Sequence, residues 1–163
     1  MDIINNTLHR CCFTGHRPEK LTVSESEAKA LLKKEIKNSI DSGFNCFICG
    51  MSRGIDLWAG QIVLNFKKEN ENIKLICASP FFGFERRWSA CDKRLYNEIL
   101  NSADLVKFVC RHYYAGCFQI RNRYMVDNCS KVIAAYSGAP GGTKNTINYA
   151  LSKNIEVVNI LDM

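Results

Sequence analysis

Gly138, Pro140, Gly141, Gly142 and Thr143 crowd into one short stretch of the chain. An apolar run from Val132 to Tyr136 precedes them, and helical spacing at Ile147, Ala150 and Leu151 follows. A strand, a glycine turn and a helix in that order can hold an anion. Glycine leaves backbone N–H groups uncovered by any Cβ, and a helix start adds unpaired donors and a partial positive charge. Thr143 is placed to cap that helix. The chemistry on offer is phosphate binding. The same turn also serves as a plain β–α connection that needs glycine only for its shape.

Two more loops carry charged and hydroxyl groups. Gly15-His16-Arg17-Pro18 offers a guanidinium able to clamp phosphate or carboxylate bidentately, or to cap a neighbouring helix from the surface. His16 has the chemistry of a base, but no carboxylate stands near it in sequence. In Gly50-Met51-Ser52-Arg53-Gly54-Ile55-Asp56, two glycines flank a hydroxyl and a guanidinium directly before a helix. Asp56 falls in the first helical turn, where the dipole favours a carboxylate and from which it could accept from ribose hydroxyls. A further loop, PFFGFERRW, brings Glu85 and Trp88. Glu85 and Asp56 are the two candidate catalytic carboxylates; for Glu85 the plain alternative is the first turn of the next helix. Trp88 matches that helix's apolar face and reads as core.

The elements that must position these loops follow from the hydrophobic pattern. Apolar runs at His9–Thr14, Phe44–Cys49, Ile73–Ala78, Asp104–Cys110, Val132–Tyr136 and Ile155–Ile160 read as strands. Helical periods separate them. Ser24 and Glu27 form a capping box ahead of Ala28, Leu32, Ile36 and Ile40, a helix closed by Gly43. Ile55, Trp58, Ala59, Ile62, Val63 and Phe66 mark a second helix, ended by KKENEN. Trp88, Cys91, Leu95 and Ile99 mark a third, and Arg121, Asn122 and Met125 sit on a fourth. Strict alternation predicts an α/β fold: a Rossmann-like, doubly wound sheet of about six mainly parallel strands with helices on both faces. Ligands of such folds bind beyond the carboxyl ends of the strands, where the Gly-, Arg- and Ser-rich loops fall.

Length, at 163 residues, suits one domain over 1–163 with a full core. No apolar run approaches the roughly 20 residues of a membrane span, and MDIINNTLHR shows no signal-peptide pattern. The nine cysteines are an odd number, and Cys12, Cys46, Cys49, Cys77 and Cys110 fall in or beside apolar runs. They read as free core thiols of a cytoplasmic protein. Cys46-x-x-Cys49 lies in a strand, so its sulfurs point to opposite faces, and Cys110, His112 and Cys117 match no standard zinc spacing. No metal is expected. A net charge of +6 suits anionic ligands and permits nucleic acid.

CGMSRGIDLWAG resembles the G-x-x-R-G-I-D segment of DprA-type DNA-processing proteins. RNRYMVDNCSKVIAAYSGAPGGT resembles the R-K-x-x-M…GGxGT segment of the LOG phosphoribohydrolases. Together with CCFTGHRPEKL, the pattern is most similar to the YpsA-like branch of the SLOG superfamily, over nearly the whole chain. The resemblance implies a nucleotide pocket with phosphates near Gly138, Gly141, Gly142 and Thr143 and with Arg121 and Asn122 where the LOG pattern has its Arg-Lys pair. Gly15, Arg17, Gly50, Ser52, Arg53 and Gly54 of the first two loops, and Thr146, complete the expected binding set. Thr146 stands at the LOG glutamate position and Asn122 at its lysine. A threonine cannot act as that acid or base near neutral pH, so the resemblance implies binding rather than hydrolysis.

The ligand class it implies is ADP-ribose or a related NAD-derived nucleotide, with no other cofactor. The role would be sensing or regulation in a bacterial cytoplasm, connected with cell division or stress and with protein partners. Homodimerisation is implied by analogy with LOG proteins. Two alternatives stay open: LOG-like N-glycosidic cleavage through Glu85 or Asp56, and DprA-like single-stranded DNA binding through Arg111, Tyr113, Tyr114, Arg121, Arg123 and Tyr124. The compact chain favours the small ligand over the nucleic acid.

Overall fold

A computed structural model describes residues 7–162; the stretch of the amino terminus before Thr7, part of the segment read for a signal peptide, lies outside them. Six strands form one sheet: β1 (Arg10–Gly15), β2 (Cys46–Cys49), β3 (Lys74–Ser79), β4 (Leu105–Phe108), β5 (Lys131–Ala135) and β6 (Glu156–Asn159). Five α-helices alternate with them: α1 (Glu25–Asp41), α2 (Ile55–Glu69), α3 (Ala90–Ser102), α4 (Cys117–Asp127) and α5 (Gly142–Ser152). The strand order is β4-β3-β2-β1-β5-β6, and every pairing is parallel.

The strand period of two divides the core. Cys11 and Phe13 of β1, Phe47 and Cys49 of β2, Leu75 and Cys77 of β3, and Ile133 of β5 face one side, with Leu32 and Ile36 of α1, Val63 of α2 and Ile99 of α3. Cys12, Cys46, Ile48, Ile76 and Val132 face the other, with Met125 of α4 and Ala150 of α5. Cys46 and Cys49 thus lie in opposite layers. All nine cysteines are free, and every one except Cys91 is buried.

Helix α1 starts as its sequence dictates. The Ser24 hydroxyl accepts the Glu27 N–H at 3.1 Å, and Gly43, at φ 101°, turns the chain after the helix. One boundary differs from the reading. Helix α3 begins only at Ala90, because the Ser89 hydroxyl caps it by accepting the Asp92 N–H at 3.2 Å. Trp88 therefore belongs to the preceding turn, where it packs edge-on against Phe84 and Tyr96.

One buried ion pair ties α1 to β5. Lys131 Nζ meets Glu35 Oε1 at 2.8 Å and Ser39 Oγ at 2.9 Å, with both charged side chains below a tenth exposed. Among the described residues no helix is long and apolar enough to cross a membrane.

Candidate functional site

The strand order reverses direction between β1 and β5. The chain leaves β1 for α1 on one face and leaves β5 for α5 on the other, so the two connections diverge and open a crevice beyond the strand ends. That crevice is a cleft of about 720 Å³, a volume within the usual range for small-molecule sites. Arg17, Lys20, Arg53, Arg87 and Arg121 line it, against the carboxylates of Asp56 and Asp92. Phe84, Trp88 and Phe118 supply aromatic surface, and Gly141, Gly142 and Thr143 bring the start of α5 to its wall.

Arg121 organises the floor. It projects from α4 and is only 5% exposed. Its Nη1 donates to the Gly50 carbonyl, its Nη2 to Ser52 Oγ at 3.2 Å, and its Nε to Asn122 Oδ1 at 2.8 Å. Helix α4 is thereby fastened to the loop after β2. Asp56, on the first turn of α2, accepts the Ser52 N–H on Oδ2 at 3.1 Å. Burial lifts the Asp56 carboxyl above its ordinary range; the Arg121 charge and the Ser52 N–H oppose it. Burial also holds the Arg121 guanidinium below its ordinary value, with Asp56 working the other way.

The glycines of this loop are required by close approach. A Cβ on Gly50 would come within 2.8 Å of Asp56 Oδ2 and 3.2 Å of Arg121 Nη1. Gly54, at φ 85°, has Pro18 directly against it, 2.8 Å from where a Cβ would stand. Between them Met51 adopts φ 67° with its side chain fully buried, a conformation uncommon outside glycine. No sequence pattern pointed to it.

His16 fixes the other wall. It is 6% exposed, lies against Tyr136 with ring centroids 5.5 Å apart, and accepts the Ser137 N–H on Nε2 at 3.3 Å. Its backbone N–H donates to the Ala135 carbonyl at 3.3 Å. Burial first, and Lys20 second, lower its pKa from the ordinary 6.5. The imidazole is thus held neutral as an acceptor.

The α5 terminus differs from the reading of Thr143 as its cap. Gly141 occupies the cap position at φ 142°, no side chain caps the helix, and Thr143 is buried one residue inside it. The glycine pair lets the helix begin earlier than a threonine cap would. Its first N–H groups are left without side-chain partners.

Of the residues expected at a pocket, Gly15, Arg17, Ser52, Arg53, Asp56, Arg121, Asn122, Gly141, Gly142 and Thr143 converge on this cleft. Gly50, Gly54, Gly138, Thr146 and Glu85 lie off its wall. Gly50 has its carbonyl engaged by Arg121, and Gly54 is covered by Pro18. Thr146 is buried and donates to the Gly142 carbonyl at 2.9 Å. Glu85 has Oε2 buried without a hydrogen-bond partner among the described residues. Sequence reasoning missed Lys20, Arg87, Asp92 and Phe118 as cleft residues. The S-x-x-D capping pattern at Ser89–Asp92 would have placed Asp92 at a helix start beside the cleft.

The YpsA family model, described as the YspA SLOG family, matches residues 11–160. A UPF0398 protein of Macrococcus caseolyticus is 28% identical, over 93% of this chain and 90% of that one. UPF0398 protein SH1465 of Staphylococcus haemolyticus is 27% identical, over 80% and 74%. Among solved structures, DNA processing protein A (DprA) of Streptococcus pneumoniae superposes with a TM-score of 0.65 at 22% identity, over 91% of this chain and 48% of that one. DNA processing protein A of Helicobacter pylori, which binds single-stranded DNA, also gives a TM-score of 0.65, at 18% identity over 94% and 65%. This chain thus spans about half of the pneumococcal protein and just under two thirds of the other. At those identities the structural likeness concerns the fold. The family model covers nearly every described residue, and the chain belongs to the YpsA-like SLOG family.

Proposed function

We propose that the cleft binds a nucleotide-derived ligand of the ADP-ribose or NAD-related class, and that the protein senses or regulates rather than catalyses. One observation carries the reading. Five cationic side chains face two carboxylates in a cleft that includes the side-chain-free start of α5 and an aromatic wall. Phosphates lie at Gly141, Gly142 and Thr143, where backbone donors and the helix dipole attract anions. The base lies toward Phe84, Trp88 and Phe118. Thr146, buried and off the wall, supports binding without LOG-type cleavage. So does the absence of Glu85 from the cleft lining.

The test is calorimetric titration with AMP, ADP, ADP-ribose and NAD, followed by product analysis. Saturable binding with ligand recovered intact, weakened in Arg17→Ala and Arg87→Ala, is the expected result. Recovery of free base and ribose phosphate would convert the reading to an enzyme. Absence of binding by every nucleotide would overturn it.

A second reading, single-stranded nucleic acid, is favoured by one rim of the cleft. Phe118 stacks obliquely on Tyr113 at 6.1 Å, Tyr113 is 62% exposed, and Arg111 is exposed on the same loop. Exposed aromatics beside cations are what base stacking needs. Of the other residues expected in a DNA groove, Arg121 is buried with three partners, and Arg123 lies against Tyr149 on the α5 side. A steep fall of oligonucleotide affinity with salt, with no preference for mononucleotides, would favour this reading.

A further inference from the structure

A second groove, of about 420 Å³, runs between α4 and α5 and meets the main cleft at Asn122, which lines both. Its chemistry differs from that of the cleft. Gln119, Asn122, Asn145 and Asn148 contribute four carboxamides, Arg123 a single charge, and no carboxylate lines it. In a chain with 23% charged residues, a lining so rich in neutral amides is unlike an ordinary solvated helix face.

The groove is also built. Asn122 accepts from Arg121 on Oδ1, which turns its NH₂ group away from Arg121; Nδ2 lies 3.9 Å from the position a Cβ would take on Gly142. Tyr149 is anchored by donating its hydroxyl to Asp127 at 2.7 Å, and the Arg123 guanidinium lies against its ring. Thr146, one turn along α5 from Gly142, also lines the groove, its hydroxyl fixed by donating to the Gly142 carbonyl at 2.9 Å.

We infer that this groove is the subsite for a polyhydroxyl group carried beyond the phosphates, so that the protein prefers a nucleoside diphosphate bearing a terminal sugar over the bare nucleoside diphosphate. The inference rests on the cleft reading above, with phosphates at Gly141–Thr143. Sugar hydroxyls both donate and accept, and a carboxamide offers both functions without charge. A third phosphate would need cations, and the groove has only Arg123. An aromatic ring would need an open stacking face, and the Tyr149 ring already carries Arg123 and Lys153.

The experiment compares ADP with ADP-ribose by calorimetry, in the native protein and in Asn145→Ala/Asn148→Ala. Both positions are exposed on α5, so the fold tolerates the change; an unchanged melting temperature checks it. ADP-ribose should bind the native protein about tenfold more tightly than ADP, the gain of two or three added hydrogen bonds. The double variant should lose that gain and keep its ADP affinity. ADP binding with no gain for ADP-ribose overturns the subsite and leaves the cleft reading standing. Equal weakening of both ligands in the variant also overturns it. Failure of both ligands to bind the native protein overturns the cleft reading and the subsite with it.

Discussion

Ser137 donates its backbone N–H to His16 Nε2 across 3.3 Å, so the loop after β5 hangs on the loop after β1. The contact spans the point where the strand order reverses, and it needs an unprotonated imidazole.

Stability should therefore fall as the pH drops. The unfolded histidine titrates near 6.5 and the folded one lower. Between those values the unfolded state binds more protons, so the contribution is full above about pH 7 and is lost as pH falls through the folded value. Urea unfolding from about pH 7 to pH 5 measures it. His16→Gln keeps an acceptor without the titration and should flatten the profile; an unchanged slope would sink the assignment to His16.

Arg121 is predicted to be a positioning residue. Removing it leaves the Gly50 carbonyl, Ser52 Oγ and Asn122 Oδ1 short of a donor. Arg121→Ala should cost about 3 kcal/mol in urea unfolding. Arg121→Lys should recover only part, because an ammonium cannot reproduce the planar fork. A destabilisation below about 1 kcal/mol would show that the floor stands without it.

Gly50→Ala should cost about 2 kcal/mol, since the new methyl must displace either the Asp56 carboxylate or the Arg121 guanidinium. Ligand affinity should fall with it, because both groups border the cleft. Denaturation and titration on the same preparation check the pair of effects.

Glu35→Ala should destabilise by about 3–5 kcal/mol, leaving Lys131 buried and uncompensated. The exposed Lys37–Asp41 pair at 2.6 Å should contribute under about 1 kcal/mol and vanish in high salt. Unfolding at low and high salt separates the two cases.

Arg17→Ala and Arg87→Ala should leave the melting temperature of the free protein unchanged, since both side chains are exposed. Each should weaken ADP binding several-fold, and the native affinity should decline with added salt. Salt-independent binding would place the phosphates elsewhere.

The sequence by itself determined the architecture and the position of the site along the chain. Periods of two and 3.6, punctuated at Gly15, Gly43, Gly50 and Gly141, order six strands and their helices, and parallel α/β folds leave few ways to assemble them. The loop of Gly50–Asp56 and the turn of Gly141–Thr143 were legible because glycine, arginine and a helix start act locally. Only the tertiary structure decided which of those groups face the cleft. Arg121 and Gly50 are 71 positions apart, and their bond turns an expected ligand contact into a brace. Trp88 reads as helix by spacing, yet the Ser89 cap delays the helix by two residues. Glu85 and Thr146 sit at promising positions in the chain, yet neither lines the cleft. Lys20 and Arg87 enter it from turns, and Asp92 from the first turn of α3. Side-chain direction at a strand end depends on what packs against the loop, and those partners are distant in sequence.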